Sequence, residues 1–304
     1  MSWPSIAGLL AVTLVAGGGP RLGRAMRPDH GAVILALSAI MAAATTVLLL
    51  LLVAGPVVAQ IPLVARLGGW APQRLRAVDD VPTWLGTACL LVAVASILAG
   101  ARRLALELAA LARARRLVRG SPTRLVVLDD PAVGAFAVPV RPGRIVVSAG
   151  LLRRLDPAER RALLAHETSH LDHHHGALAA AGRVAAAMNP LLSAVAQVAA
   201  HACERWADED AAAAVGDRTV AARAVAVAAL HGSRGSGLPV GGVAAAGGRV
   251  TQRVTALLAT PPRQRLAPVF SLIVMMCFMA AAPVVQANDT DAVLDAGGTA
   301  ASPH

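Results

Sequence analysis

The sequence predicts a mostly α membrane protein of about four transmembrane helices, with a small α+β domain inserted between the third and the fourth. Three observations predict it. The 304-residue chain is 56% hydrophobic with a mean hydropathy of +0.60, too apolar for an ordinary soluble domain. Charge-free runs long enough to cross a bilayer recur near both ends. Between them lies an arginine-rich stretch with short β-branched runs. The resulting division is 1–101, an N-terminal membrane domain of three spans; 102–264, the inserted domain; 265–287, the fourth span; and 288–304, a short acidic tail.

Ser2 to Pro20 carries no charge and begins beside Trp3, an interfacial residue, so it reads as the first span. Gly17-Gly18-Gly19-Pro20 is expected to break this helix early, which keeps a signal peptide or an interfacial segment as the alternative. A cleaved signal would want a basic start, which is missing. Arg21, Arg24 and Arg27 form a short basic loop, and Ile34 to Val58 makes the second span, with Pro56 and Pro62 at its far end. After a loop holding Trp70, Arg74, Arg76, Asp79 and Asp80, the third span runs from Val81 to Ala101, anchored by Trp84. Arg102, Arg103, Arg113, Arg115, Arg116 and Arg119 alternate with leucines in a basic amphipathic helix suited to anionic headgroups. The formal charge of +10 comes from arginine alone. With 2% aromatic residues and no stacking motif, direct nucleic-acid binding is not expected. Leu125 to Leu128 and Ile145 to Ser148 are β-rich runs between Pro, Gly and Asp, hence strands.

The next helix starts with Asp156-Pro157-Ala158-Glu159, an N-cap acid, a first-turn proline and a capping-box glutamate. Its centre is Leu163-Leu164-Ala165-His166-Glu167-Thr168-Ser169-His170-Leu171. Residues i and i+4 share a helix face, so His166 and His170 can reach one metal ion, and Glu167 is placed to take a proton from water at that metal. The pattern also occurs by chance, as two solvated surface histidines. Against that, Thr168 and Ser169 are uncharged and Leu164 and Leu171 apolar, so the histidines lie on a helix to be buried and need a partner. Downstream, Glu204-Arg205-Trp206-Ala207-Asp208 offers one. A catalytic zinc wants three protein ligands and an open position. Glu204 can be the third ligand, while Asp208, one turn on, can accept the free ring N–H of His166. The alternative is an ordinary acidic turn on a polar helix.

His173, His174 and His175 extend the cluster; His174 is i+4 from His170 and is expected to be solvated or to support a ligand. Val184 to Cys203 is uncharged, yet a single crossing would put His170 and Glu204 on opposite sides of a bilayer. Two crossings need about 40 residues, more than the 33 between them. A buried or membrane-apposed helical hairpin broken at Asn189-Pro190 satisfies both limits. Gly232 to Gly248 reads as a linker, Val250 to Leu258 as a short amphipathic helix and Leu266 to Ala287 as the last span. Three scattered cysteines, Cys89, Cys203 and Cys277, imply no disulfide framework; Cys203 is a weak rival ligand beside Glu204. Arginine counting places 102–264 in the cytoplasm of a multi-pass cell-membrane protein with both termini outside.

The two motifs resemble those of the BlaR/MecR-type integral-membrane zinc peptidases, the β-lactam-sensor family. More distantly they are similar to the heat-shock membrane proteases and CAAX prenyl proteases, which share the later Glu-x-x-Ala-Asp. Ala135-Phe136-Ala137-Val138 and the stretch from Arg141 to Leu152 look like the strand and turn before the zinc helix in the first family. Gly134 stands where the prenyl-protease group usually has asparagine. The resemblance covers roughly 30–290 and is strongest from Leu125 to Ala212.

It implies a gluzincin-like domain holding one Zn2+ per chain through His166, His170 and Glu204, with Glu167 as base. A strand beside the zinc helix would pair with extended substrate. Such enzymes usually have an oxyanion helper; with no tyrosine in the chain, His201 or Arg205 is the candidate. The expected partners are the lipid bilayer and a protein or peptide substrate, in the sensor family a transcriptional repressor or the peptidase's own chain. The family's β-lactam receptors carry a large sensor after the last span, and 17 residues after Ala287 are too few for one. Two rivals are a heat-shock-type quality-control protease and a catalytically silent zinc-binding scaffold, for which Glu167 would have no use.

Overall fold

The computed structural model describes residues 3–68, 81–129, 134–232, 246–261, 263 and 265–296. The loop around Trp70 to Asp80 and most of the glycine-rich linker lie outside the described residues, as does the end of the tail from 297. Among the described residues four helices are long and apolar enough to cross a membrane: α1 (Trp3–Arg24), α2 (Pro28–Ala59), α4 (Thr83–Leu117) and α11 (Leu266–Ala296). A short α3 (Pro62–Gly68) follows α2.

Three expectations about these helices need correction. Gly17-Gly18-Gly19-Pro20 does not break α1, which continues to Arg24 with Pro20 inside it. Proline removes one N–H and is tolerated where neighbouring helices support the turn; Gly19 packs close to Val195 and Leu35. Nor does the basic amphipathic segment form a separate helix. It is the second half of α4, because nothing between Ala101 and Arg102 caps or breaks the chain. Finally, residues 288–296 of the acidic tail continue α11 as helix.

The inserted domain begins with a three-stranded sheet of β1 (Leu125–Leu128), β2 (Ala135–Val138) and β3 (Arg144–Ser148), in the order β1-β3-β2. β3 is central, parallel to β1 and antiparallel to β2. Ile145, Val146 and Val147 are buried, as β-branched residues on a covered strand should be. Helices α5 (Ala149–Arg154), α6 (Pro157–Asp172), α7 (His175–Met188), α8 (Ser193–Val215), α9 (Arg218–Gly232) and α10 (Ala246–Leu258) complete the fold. α8 ends on Gly216 at φ 72°, the left-handed cap that favours glycine.

Helices α7 and α8 form the hairpin, broken at Asn189 and a 3₁₀ turn over Pro190–Leu192. They touch where Gly182 meets Ala196; a Cβ on Gly182 would stand 3.3 Å from that backbone. The hairpin does not sit beneath the long helices but among them. Its Ala185, Leu192, Val195, Val198 and Ala199 share one buried cluster with Val15 of α1, Leu35 and Ala39 of α2 and Leu272 and Met279 of α11. Asn189 Nδ2 donates to Thr46 Oγ1 at 3.3 Å, halfway along α2. Arg183 of α7 donates to both carboxylate oxygens of Glu107 in α4, at 2.7 and 2.8 Å.

Candidate metal centre

Helix α6 is held at its start by the complete capping box: Asp156 Oδ1 accepts from the Ala158 and Glu159 amides, and Glu159 Oε2 accepts from the Asp156 amide. Arg223 of α9 donates to Glu159 Oε1 at 3.1 Å, fixing α9 against that first turn. So anchored, α6 packs along α8 and presents His166 and His170 to Glu204.

The Nε2 atoms of the two histidines lie 3.1 Å apart. Glu204 Oε2 is 3.7 Å from His166 Nε2, and Oε1 is 3.6 Å from His170 Nε2. A tetrahedral zinc with bonds of about 2.0–2.1 Å would hold its ligand atoms about 3.3 Å from one another. The two imidazoles and the carboxylate therefore have the chemistry and the spacing such an ion takes. Among the described residues they are the group that could hold a metal. Glu167 is buried beside them, and its carboxyl is pushed up to about 7, first by burial and further by Glu204, with His166 and Arg253 opposing.

The two imidazoles are backed by different chemistry. Nδ1 of His166 stands 3.1 Å from Asp208 Oδ1, at the distance though not in the alignment of a straight hydrogen bond. Asp208 is fully buried and in turn receives Arg253 of α10: Nε donates to Oδ2 at 2.8 Å and Nη2 to Oδ1 at 2.7 Å. The same guanidinium places Nη1 2.8 Å from Glu204 Oε2. Burial works against a charge on His166, yet Asp208 and Glu204 overcome it and raise the imidazole to about 10. Burial also opposes ionisation of Asp208, but Arg253 and His166 bring it down to about 2. Glu204 is likewise held well below its usual range against burial, chiefly by Arg253.

His170 has no carboxylate behind it. Its Nδ1 meets Nδ1 of His175 at 3.0 Å, and His175 is almost wholly buried at the start of α7. Burial lowers His170 to about 4 and His175 to about 3, so both are neutral near pH 7. Trp206 lies against His175 and stacks on His173 at 4.1 Å. His173 reaches Asp210 at 3.2 Å, and Ser169 Oγ donates to the same Oδ2 at 2.6 Å.

Two partners in this arrangement escaped the sequence reading. The histidine supporting His170 is His175 rather than His174, because α6 stops at Asp172 and the i+4 rhythm stops with it. His174 takes the left-handed turn at φ 54° and is exposed. Arg253 was hidden in a short amphipathic helix. The available signal was its position: it falls on the stripe of Val250, Val254 and Leu257, where an arginine must find buried carboxylates. Of the remaining candidates, Arg205 is not brought to the three ligands. Its Nη2 donates to Glu209 at 2.7 Å, and Glu209 is shared with Arg218. His201 sits one turn before Glu204, and its buried Nδ1 has no hydrogen-bond partner. Cys203 is buried between Ala32, Ala202 and Trp206.

Residues 99–267, more than half of the chain, match the model of peptidase family M48. The match contains the whole centre but does not single out the β-lactam-sensor peptidases. No curated protein and no solved structure matches the chain.

Proposed function

We propose, for a chain that belongs to peptidase family M48, that it is a membrane-embedded zinc endopeptidase. The observation that carries the reading is the spacing of His166 Nε2, His170 Nε2 and the Glu204 carboxylate, 3.1 to 3.7 Å, beside a buried Glu167. Zinc held by these three residues would act as a Lewis acid and make its water acidic enough to react near neutral pH. The chain's own part is as follows. Glu167, poised near 7, takes the proton of the attacking water and returns it to the leaving amine. Asp208 and His175 orient the two imidazoles. Arg253 keeps both carboxylates ionised, donating to both oxygens of Asp208 and meeting Glu204 at Oε2 alone. Of the two oxyanion candidates, His201 is favoured, since the guanidinium of Arg205 is engaged by Glu209. An extended peptide would pair with the outer edge of β2, the strand that lies against α6.

The membrane reading rests on the four apolar helices and on the hairpin among them. From Leu192 to Glu204 is twelve residues of helix, about 18 Å, so a tip level with the middle of α2 puts the ligands near the membrane surface. Substrates would then be membrane-proximal segments of proteins, cut on the cytoplasmic side. A cysteine reporter near Arg119 that reacts with an impermeant reagent outside intact cells would reverse that orientation. A regulatory substrate, a repressor or the chain itself, comes from the sensor-family resemblance. It is tested by comparing cytoplasmic proteomes of cells expressing the parent and Glu167→Gln: accumulation of misfolded membrane proteins without any repressor would favour quality control.

The function itself is tested on the purified full chain in detergent. Glu167→Gln should bind one zinc per chain like the parent and lose about 10²- to 10⁴-fold in cleavage of an unfolded protein substrate. Equal cleavage by the two would remove Glu167 as base, and zinc binding without cleavage by the parent would support the scaffold.

A further inference from the structure

A second polar feature lies away from the metal centre, where the end of α4 meets the turn between β2 and β3. A cavity of about 370 Å³ opens there, lined by Arg115, Arg116, Arg119, Arg141 and Arg144 together with Ser121. That volume is within the range of small-ligand sites. Two of the arginine side chains brace its walls by donating to backbone carbonyls. Arg144 Nη2 donates to Ser121 O at 3.0 Å and Nη1 to Pro142 O at 2.9 Å, while Arg115 Nη2 donates to Pro139 O at 3.3 Å. Nε of Arg144 is buried and has no hydrogen-bond partner. The arginines that pair with carboxylates among the described residues are all elsewhere in the fold.

We propose that this cavity is a binding site for a phosphate-dense anion without a nucleobase, separate from the peptidase centre. Five like charges converging on one cavity repel one another, and an anion removes that cost. The C-terminal dipole of α4 opposes an anion with about half a charge, which five guanidinium groups outweigh. Guanidinium forks match phosphate oxygens in pairs. The apolar part of the lining is Val118 and Val140, with no aromatic ring on which a base could stack. The phosphate could belong to a lipid headgroup or to a free polyanion. Arg115 is fourteen residues beyond Ala101, about 21 Å along a straight helix, so a headgroup reaches it only if α4 tilts toward the bilayer.

The test uses the full chain in lipid nanodiscs and tripolyphosphate as the probe. Arg119→Gln with Arg141→Gln removes two exposed arginines that do not join the walls. Arg153→Gln with Arg154→Gln removes the same charge from exposed positions on α5. In phosphatidylcholine discs the parent should bind one tripolyphosphate per chain by calorimetry. The cavity variant should bind about a hundredfold more weakly, roughly tenfold for each guanidinium lost, and the α5 variant like the parent. Adding phosphatidylglycerol to the discs separates the sources. Weaker tripolyphosphate binding by the parent alone identifies a headgroup as occupant, and unchanged binding identifies a free polyanion. No binding in phosphatidylcholine discs, or an equal loss in both variants, overturns the site.

Discussion

The two histidines of the centre are four residues apart on one helix, yet they face opposite kinds of wall. Behind His166 stand the buried Asp208 and the partly buried Arg253, both ionised; behind His170 stand His175 and Trp206, neutral and close-packed. On the charged side the metal-free imidazole keeps its proton to about 10, and on the neutral side it has lost it by about 4. If the two imidazoles hold a metal as proposed, a cation entering would displace a proton from His166 and none from His170. On that reading the charged wall sets most of the affinity and its pH dependence, and the neutral wall chiefly places His170.

The most damaging way to break this contrast is Arg253→Met. It removes the guanidinium from Asp208 and Glu204 and leaves His166 as their remaining cation, and losing one partner of a buried pair costs about 3–5 kcal/mol. The expected result is a lower melting temperature in detergent, larger in the metal-free protein than in the zinc-loaded one. A melting temperature equal to the parent's would mean that the α10 arginine does not hold the charged wall. Next comes Asp208→Asn, which should weaken zinc binding by about 10–100-fold while keeping one zinc per chain at saturation. Chelator competition measures it.

Two smaller effects sharpen the comparison. His175→Leu keeps the volume of the neutral wall and removes its ring nitrogen, so zinc affinity should fall by less than in Asp208→Asn. If the two losses were equal, the walls would not differ in kind. The last effect is a proton count. His166 is raised above its ordinary value, so between about 7 and 10 the metal-free site holds a proton that zinc must expel. Apparent affinity should rise about tenfold per pH unit from this group and level off above about 10. Calorimetry at pH 8 in buffers of different ionisation enthalpy should show about one proton released from His166 by the parent, with less from Asp208→Asn. No release would show that His166 is neutral before the metal arrives.

What could be read from residues alone was whatever one helix or one apolar run decides. The i, i+4 spacing of His166 and His170, the capping box at Asp156 and the turn from Glu204 to Asp208 are properties of single helices. Local periodicity fixes which side chains share a face. The break at Asn189-Pro190 followed from the same local chemistry, since proline ends a helix wherever it is not supported. The uncharged runs likewise marked the four long helices, although their ends moved by several residues because continuity is decided by neighbours.

Tertiary structure decided everything that joins one element to another. The order β1-β3-β2 and the depth of the α7–α8 hairpin among α1, α2 and α11 depend on which apolar faces meet, and many pairings bury the same area. His175 supports His170 because α6 ends at Asp172 and the chain turns through His174. Arg253 shows the limit most clearly. Its place on an apolar stripe announces a buried partner, but the partners are 45 and 49 residues earlier, on a helix that only the docking of α10 onto α8 brings within 2.8 Å. Charge pairing at that range is a property of the packed chain, because its strength depends on burial that no single segment possesses.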